Sequence, residues 1–123
     1  MGSIMENKNI SVTVEPSFSI TNLKIITIKG TIDISTSKSI DKTILSVIEK
    51  GDSHIIIDLS QLDYLSSIGM MSLTNYVLRS KAQMRMVKFI KPAKPIYETM
   101  GVFGLTKRFE MYDSLEAAID TFR

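Results

Sequence analysis

The sequence predicts an α/β domain with a mixed, mostly parallel sheet of four to five strands and four helices, the first two strands running antiparallel. Three observations lead there. The apolar run Ile55-Ile56-Ile57, followed by Asp58-Leu59, has the pattern of a buried strand. Segments of strand character alternate along the chain with segments of helical spacing, which implies crossover connections and parallel pairing. No linker or internal repeat divides the 123 residues, a length that suits one domain with a real core.

The elements follow in order. Residues 10–14 alternate apolar and polar as a strand does, and Glu15-Pro16-Ser17 breaks it. Residues 23–29 form a second strand, ended by Gly30; the short connection pairs these two antiparallel. Asp33, Ser35 and Thr36 offer caps for a helix whose inner face is Ile40, Ile44, Val47 and Ile48, with Gly51 as its stop. The strand 54–59 comes next. Met70, Leu73, Tyr76 and Val77 then mark one face of a helix that ends near Lys81. Residues 84–90 read as a further strand and 96–100 as a short helix opened by Pro92 and Pro95. Gly101 and Gly104 bracket a loop, and 108–112 is the last strand. Asp113 with Glu116 resembles a capping box for a final helix with Leu115, Ala118, Ile119 and Phe122 inside. Residues 1–9 are expected to be a disordered N-terminus, residues 1–4 a leftover of cloning, and residues 10–123 the folded domain.

Composition removes several classes of function. No Cys is present, which rules out disulfides, thiol catalysis and Cys-based zinc sites, and a single His54 cannot form a histidine cluster. No apolar run approaches the ~20 residues of a membrane span, and the polar start lacks a signal-peptide core. A cytoplasmic location is the default. Net charge is +2, but no acidic residue lies between Asp63 and Glu98, a stretch carrying Arg79, Lys81, Arg85, Lys88, Lys91 and Lys94. That run is either a local positive field that steers an acidic partner or a solvated helix end and loop. Only Phe89 interleaves it, which argues against nucleic acid.

The informative segment is Tyr64-Leu65-Ser66-Ser67-Ile68-Gly69-Met70. Two hydroxyls sit where a strand ends and a helix begins, where unpaired N–H groups and the helix dipole favour negative charge. A phosphate there would be held locally and would change the surface charge sharply. Spacing alone equally suits a serine that merely caps the helix. Other candidate chemistry is thin. Gly101-Val102-Phe103-Gly104 lacks the ending of a phosphate-binding loop. Ser35-Thr36-Ser37-Lys38 fits the Ser-x-x-Lys pattern of acyl-serine enzymes without its partner motifs. Asp33 and Asp58 are two carboxylates near strand ends, a pair that acid–base or magnesium chemistry would need. Met70, Met71, Met84, Met86 and Met100 suggest core, or a pliable partner-binding surface.

The run from Asp58 to Met70 resembles the signature of the STAS domain in bacterial anti-sigma factor antagonists. Lys29-Gly30-Thr31-Ile32-Asp33 is similar to the family's Gly-x-x-Asp element, and residues 100–105 with 109–118 are similar to its closing segment. The resemblance implies a protein-binding module without cofactors and without catalytic activity of its own. Ser67, with Ser66 as second candidate, would be the phosphoacceptor. Asp33, Gly30, Ser66, Ser67, Ile68, Gly69, Met70 and Met71 would form or shape the partner surface. The implied partners are an ATP-bound anti-sigma factor serine kinase, captured when the antagonist is unphosphorylated so that a sigma factor is freed, and a PP2C-type phosphatase that resets the switch. No nucleic acid or membrane is implied, and a monomer or weak dimer is expected. Ile68 and Met71 depart from the family pattern, and they motivate the alternative of a STAS scaffold that is never phosphorylated, in a signalling or transport assembly.

Overall fold

The computed structural model describes residues 3–7 and 9–123. Among them seven strands form one mixed sheet: β1 (Ser3–Asn7), β2 (Ile10–Pro16), β3 (Leu23–Ile32), β4 (His54–Asp58), β5 (Leu62–Leu65), β6 (Val87–Ile90) and β7 (Met111–Tyr112). Their order is β1-β2-β3-β4-β6-β7, with β5 paired to β3. β1, β2 and β3 pair antiparallel, and every later pairing is parallel. The helices are α1 (Ser37–Ile48), α2 (Ser67–Ala82), α3 (Lys94–Val102), α4 (Leu105–Arg108) and α5 (Leu115–Asp120).

The apolar run of β4 explains the layering. Ile55 and Ile57 point into the larger core, shared with Ile40 and Ile44 of α1, Leu73 and Tyr76 of α2, and Met100 of α3. Ile56 points the other way, into a smaller core closed by Ala118 and Ile119 of α5. A strand with helices on both faces must be apolar on both, so its sequence loses the two-residue alternation. β2 keeps that alternation, with Val12 and Val14 buried and Ser11 and Thr13 half-exposed, because one of its faces is open to solvent.

β3 is ten residues long, while β4 accompanies it only from Leu23 to Thr27. β5 covers the remainder, pairing with Gly30, Thr31 and Ile32 across a register shift at Gly30/Thr31. Gly30 has φ +114°, and a Cβ there would lie 2.2 Å from the backbone oxygen of Asn9, so no other residue fits. This arrangement sets the ends of β3 and β5 side by side, with Ile32 opposite Leu65.

The structure corrects several expectations. Among the described residues the sheet has seven strands and not four or five, and there are five helices and not four. The segment read as a disordered N-terminus contains β1, paired with β2 from Ser3↔Val14 to Asn7↔Ile10. Backbone pairing at a sheet edge needs no apolar pattern, so the sequence carried no sign of it. Residues 1, 2 and 8 of that segment lie outside the described residues. The strand expected over 84–90 begins only at Val87, since Met84 takes φ +60° in a turn. Arg108, expected to open the last strand, ends α4, a single turn that starts after Gly104 at φ +75°. The cap of α5 is Ser114, whose hydroxyl accepts from Ala117 N at 3.1 Å; Asp113 stands one residue too early.

Candidate functional site

The start of α2 is fixed by two hydrogen bonds of Ser66. Its backbone N–H donates to Ile32 O at 2.9 Å, tying the end of β5 to the end of β3. Its side-chain oxygen accepts from Gly69 N at 3.1 Å and so caps the helix. Ser66 is therefore half-buried and already engaged. Ser67 is the first residue of α2 and is exposed, and its hydroxyl bonds to no other described residue. The first turn of α2 carries no acidic residue, so the positive end of its dipole is uncompensated from within the helix.

Asp33 follows directly on the paired Ile32 and so lies beside Ser66 at neighbouring strand ends. One oxygen of its carboxylate accepts from Ser35 Oγ at 2.6 Å, Ser35 N at 2.8 Å and Thr36 N at 3.2 Å. The Ser35 hydroxyl, with these backbone donors, holds the carboxyl below its ordinary pKa. Buried Thr36 locks the turn from beneath, donating to Thr31 O at 2.7 Å and accepting from Asp33 N at 3.0 Å. Asp33 thus shapes a turn that presents Ile34, which is 77% exposed, next to the start of α2.

The other residues singled out divide between surface and support. Ser67 and Met71 are exposed and Ile68 is half-buried. Gly69 and Met70 are buried, and Gly30 lies within β3 against the backbone of Asn9. A Cβ on Gly69 would come within 2.6 Å of Leu65 and 2.8 Å of Ile32, so glycine lets the first turn of α2 rest against the sheet. Beside Ser67 runs an open groove of about 850 Å³ lined by Ile68, Met71, Leu78, Phe103 and Asp41 among others. Its lining is mainly apolar, and Met71, Leu78 and Phe103 are all more than half exposed. Sequence reasoning missed Asp41, Leu78 and Phe103. The available sign was that Met71 and Leu78 fall outside the core stripe of α2.

Other chemistry is not assembled. Asp58 sits opposite Thr27, six residues back along β3 from Asp33, which separates the two carboxylates by roughly 20 Å. Asp58 instead accepts from Ser60 N and stands 3.6 Å from Lys91. The Ser35 hydroxyl, engaged on Asp33, has no base in Lys38, whose side chain is exposed. Half of the basic run is ion-paired in space. Arg79 pairs with Glu49, Lys91 with Asp58, and Arg85 donates to Gly51 O. Lys88 is buried, bonded to Thr121 at 2.7 Å, paired with Glu110 at 3.3 Å and set over the Phe122 ring. Among the described residues no three His, Cys, Asp or Glu side chains gather as a metal site, and no helix is long and apolar enough to cross a membrane.

Comparison with known proteins bears on this geometry. A family model described as the STAS domain matches residues 9–118. A Bordetella bronchiseptica protein assigned as the anti-sigma factor antagonist BtrV is 26% identical over 108 residues, covering 85% of this chain and 90% of that protein. An anti-sigma factor antagonist from Mycobacterium paratuberculosis superposes with TM-score 0.80 at 21% identity, over 91% of this chain and 92% of that one. The phosphorylated form of SpoIIAA from Bacillus superposes with TM-score 0.69 at 21% identity, over 91% and 99%. The murine anion transporter Slc26a9 contains the same fold, with TM-score 0.74 at 14% identity over 93% of this chain and 22% of the transporter. At these identities the superpositions show a shared fold.

Proposed function

We propose that this chain, which belongs to the STAS domain family, is an anti-sigma factor antagonist that works as a phosphorylation-switched binding module in the cytoplasm. In its unphosphorylated form it captures an ATP-bound anti-sigma serine kinase through the α2 start, the Asp33 turn and the adjoining groove, and a sigma factor is freed. Phosphorylation of Ser67 breaks the capture, and a PP2C-type phosphatase restores it. The observation that carries this reading is the division of labour between the two serines: Ser66 spends its hydroxyl on the helix cap, while the Ser67 hydroxyl stands exposed beside an apolar groove.

The physics suits such a switch. A phosphoserine brings about −1.5 to −2 charges at neutral pH. In the free protein the start of α2 accommodates that charge. In a dry interface against Asp33 or a nucleotide phosphate it is an uncompensated charge, which costs several kcal/mol, roughly 3–5. The test is incubation with the cognate kinase and ATP, then location of the phosphate by mass spectrometry. Modification at Ser67 supports the reading, and a captured kinase that modifies neither serine refutes it. A second reading, an unphosphorylated STAS scaffold within a transport or signalling assembly, is favoured by the fold's occurrence inside Slc26a9. Stable capture in a multi-subunit complex, unaffected by Ser67→Asp, would select it.

A further inference from the structure

Asp41 is a single carboxylate set in the apolar groove. It lies in α1, and one of its oxygens accepts the Tyr76 hydroxyl at 2.5 Å. Tyr76 is fully buried, and burial together with the neighbouring Asp41 charge pushes its phenol far above the usual range. The phenol is thus a permanent donor that fixes the carboxylate in place. Among the described residues no cation pairs with Asp41. Lys38 and Lys42, its neighbours on α1, are exposed and stay outside ion-pair distance.

The rest of the groove is suited to apolar side chains. From Ser67 to Leu78 it follows α2 over eleven residue steps, about 16 Å at 1.5 Å each. Met71, exposed at 71%, adapts readily to differently shaped partners. Covering such a groove strips water from Asp41, and an unpaired carboxylate under an apolar lid is strongly unfavourable. The lid has to bring a positive charge with it. We infer that the groove docks a protein segment carrying one arginine or lysine among large apolar side chains. The cation seats on Asp41 and the apolar side chains rest on Met71, Leu78 and Phe103, in the manner of an amphipathic segment laid into a groove. The inference rests on the reading of the Ser67 face as a docking surface and is independent of phosphorylation.

The test uses octylguanidinium as a minimal probe, with octanol and octanoate as neutral and anionic controls, titrated to millimolar concentration against protein labelled on its methionine methyls. The expected result is a saturable shift of the Met71 methyl, with octylguanidinium binding at least about tenfold more tightly than octanol and octanoate weakest. Asp41→Asn, which keeps an acceptor for Tyr76, should erase the preference for the cation while the remaining methyl signals report an intact fold. Absence of a Met71 shift, equal binding of octanoate, or a preference that survives Asp41→Asn would each overturn the inference. Capture of the cognate kinase distinguishes this failure from that of the wider reading. If Ser67→Asp abolishes capture and Asp41→Asn leaves it unchanged, the Ser67 switch stands and the role of Asp41 falls.

Discussion

Replacing Ser66 and Ser67 by alanine, one at a time, separates a structural hydroxyl from a signalling one. Ser66→Ala removes the side-chain acceptor of the Gly69 N–H. Loss of an N-cap costs ~1 kcal/mol, and this orphaned donor belongs to a buried residue, which raises the expected loss to about 1–2 kcal/mol. At 123 residues the unfolding entropy at the midpoint is about 0.26 kcal/mol/K, so the melting temperature should fall by about 4–8 °C. Ser67→Ala removes an exposed hydroxyl with no partner among the described residues, and its effect should stay within about 0.5 kcal/mol, roughly 2 °C. Thermal denaturation followed by circular dichroism measures both shifts. Radiolabelled phosphate incorporation from the kinase measures the signalling side. The expected pattern is a crossed one: Ser66→Ala is less stable and still phosphorylated, and Ser67→Ala is as stable as the wild type and unmodified. Phosphate on Ser67→Ala, or a larger stability loss there than in Ser66→Ala, would refute the assignment of the two hydroxyls.

Three further outcomes are expected. Gly69→Ala gains ~1 kcal/mol of helix propensity but drives a methyl to 2.6 Å from Leu65, an overpacking cost of about 1–3 kcal/mol, so urea midpoints should show net destabilisation. His54 accepts from Met86 N through Nδ1, and burial, then Arg85 and Lys88, hold its pKa below the ordinary 6.5. The unfolded chain therefore binds this proton more readily, so the stabilisation is complete above pH 6.5 and declines as pH falls from there toward the folded-state pKa. Urea melts of wild type and His54→Asn across pH 7.5 to 5.5 should converge if this holds, and parallel curves would speak against it. Lys88→Ala leaves a cavity under Phe122, whereas Lys88→Met fills it without a charge; chemical denaturation should place alanine about 2–4 kcal/mol below wild type and methionine within about 1 kcal/mol of it.

Much of the architecture was legible where burial leaves a periodic trace. Ile55-Ile56-Ile57 announced a strand covered on both sides, and Ile40, Ile44, Val47 and Ile48 announced the inner face of α1. The antiparallel pairing of β2 and β3 followed from their short connection. What escaped detection has backbone or through-space causes. β5 exists because β3 outruns β4 and its end needs a partner, a demand made by a distant segment and not by Leu62–Leu65 itself. α4 is one turn long and starts after a left-handed glycine, too short to show a period. The acid-free run was open to two readings because Glu49, Asp58 and Glu110, which pair Arg79, Lys91 and Lys88, lie outside it in sequence. At the site, the sequence located the Ser66-Ser67 junction, and the division of roles required the cap geometry. Asp41 stayed hidden because its partner Tyr76 is 35 residues away.

The most direct measurement is the affinity of the ATP-loaded cognate kinase, by calorimetry, for this protein before and after complete phosphorylation at Ser67. A buried, unpaired phosphate costing several kcal/mol predicts a loss of at least about 100-fold in affinity, recovered when a PP2C-type phosphatase removes the group. Equal binding of the two forms would contradict the account at its centre.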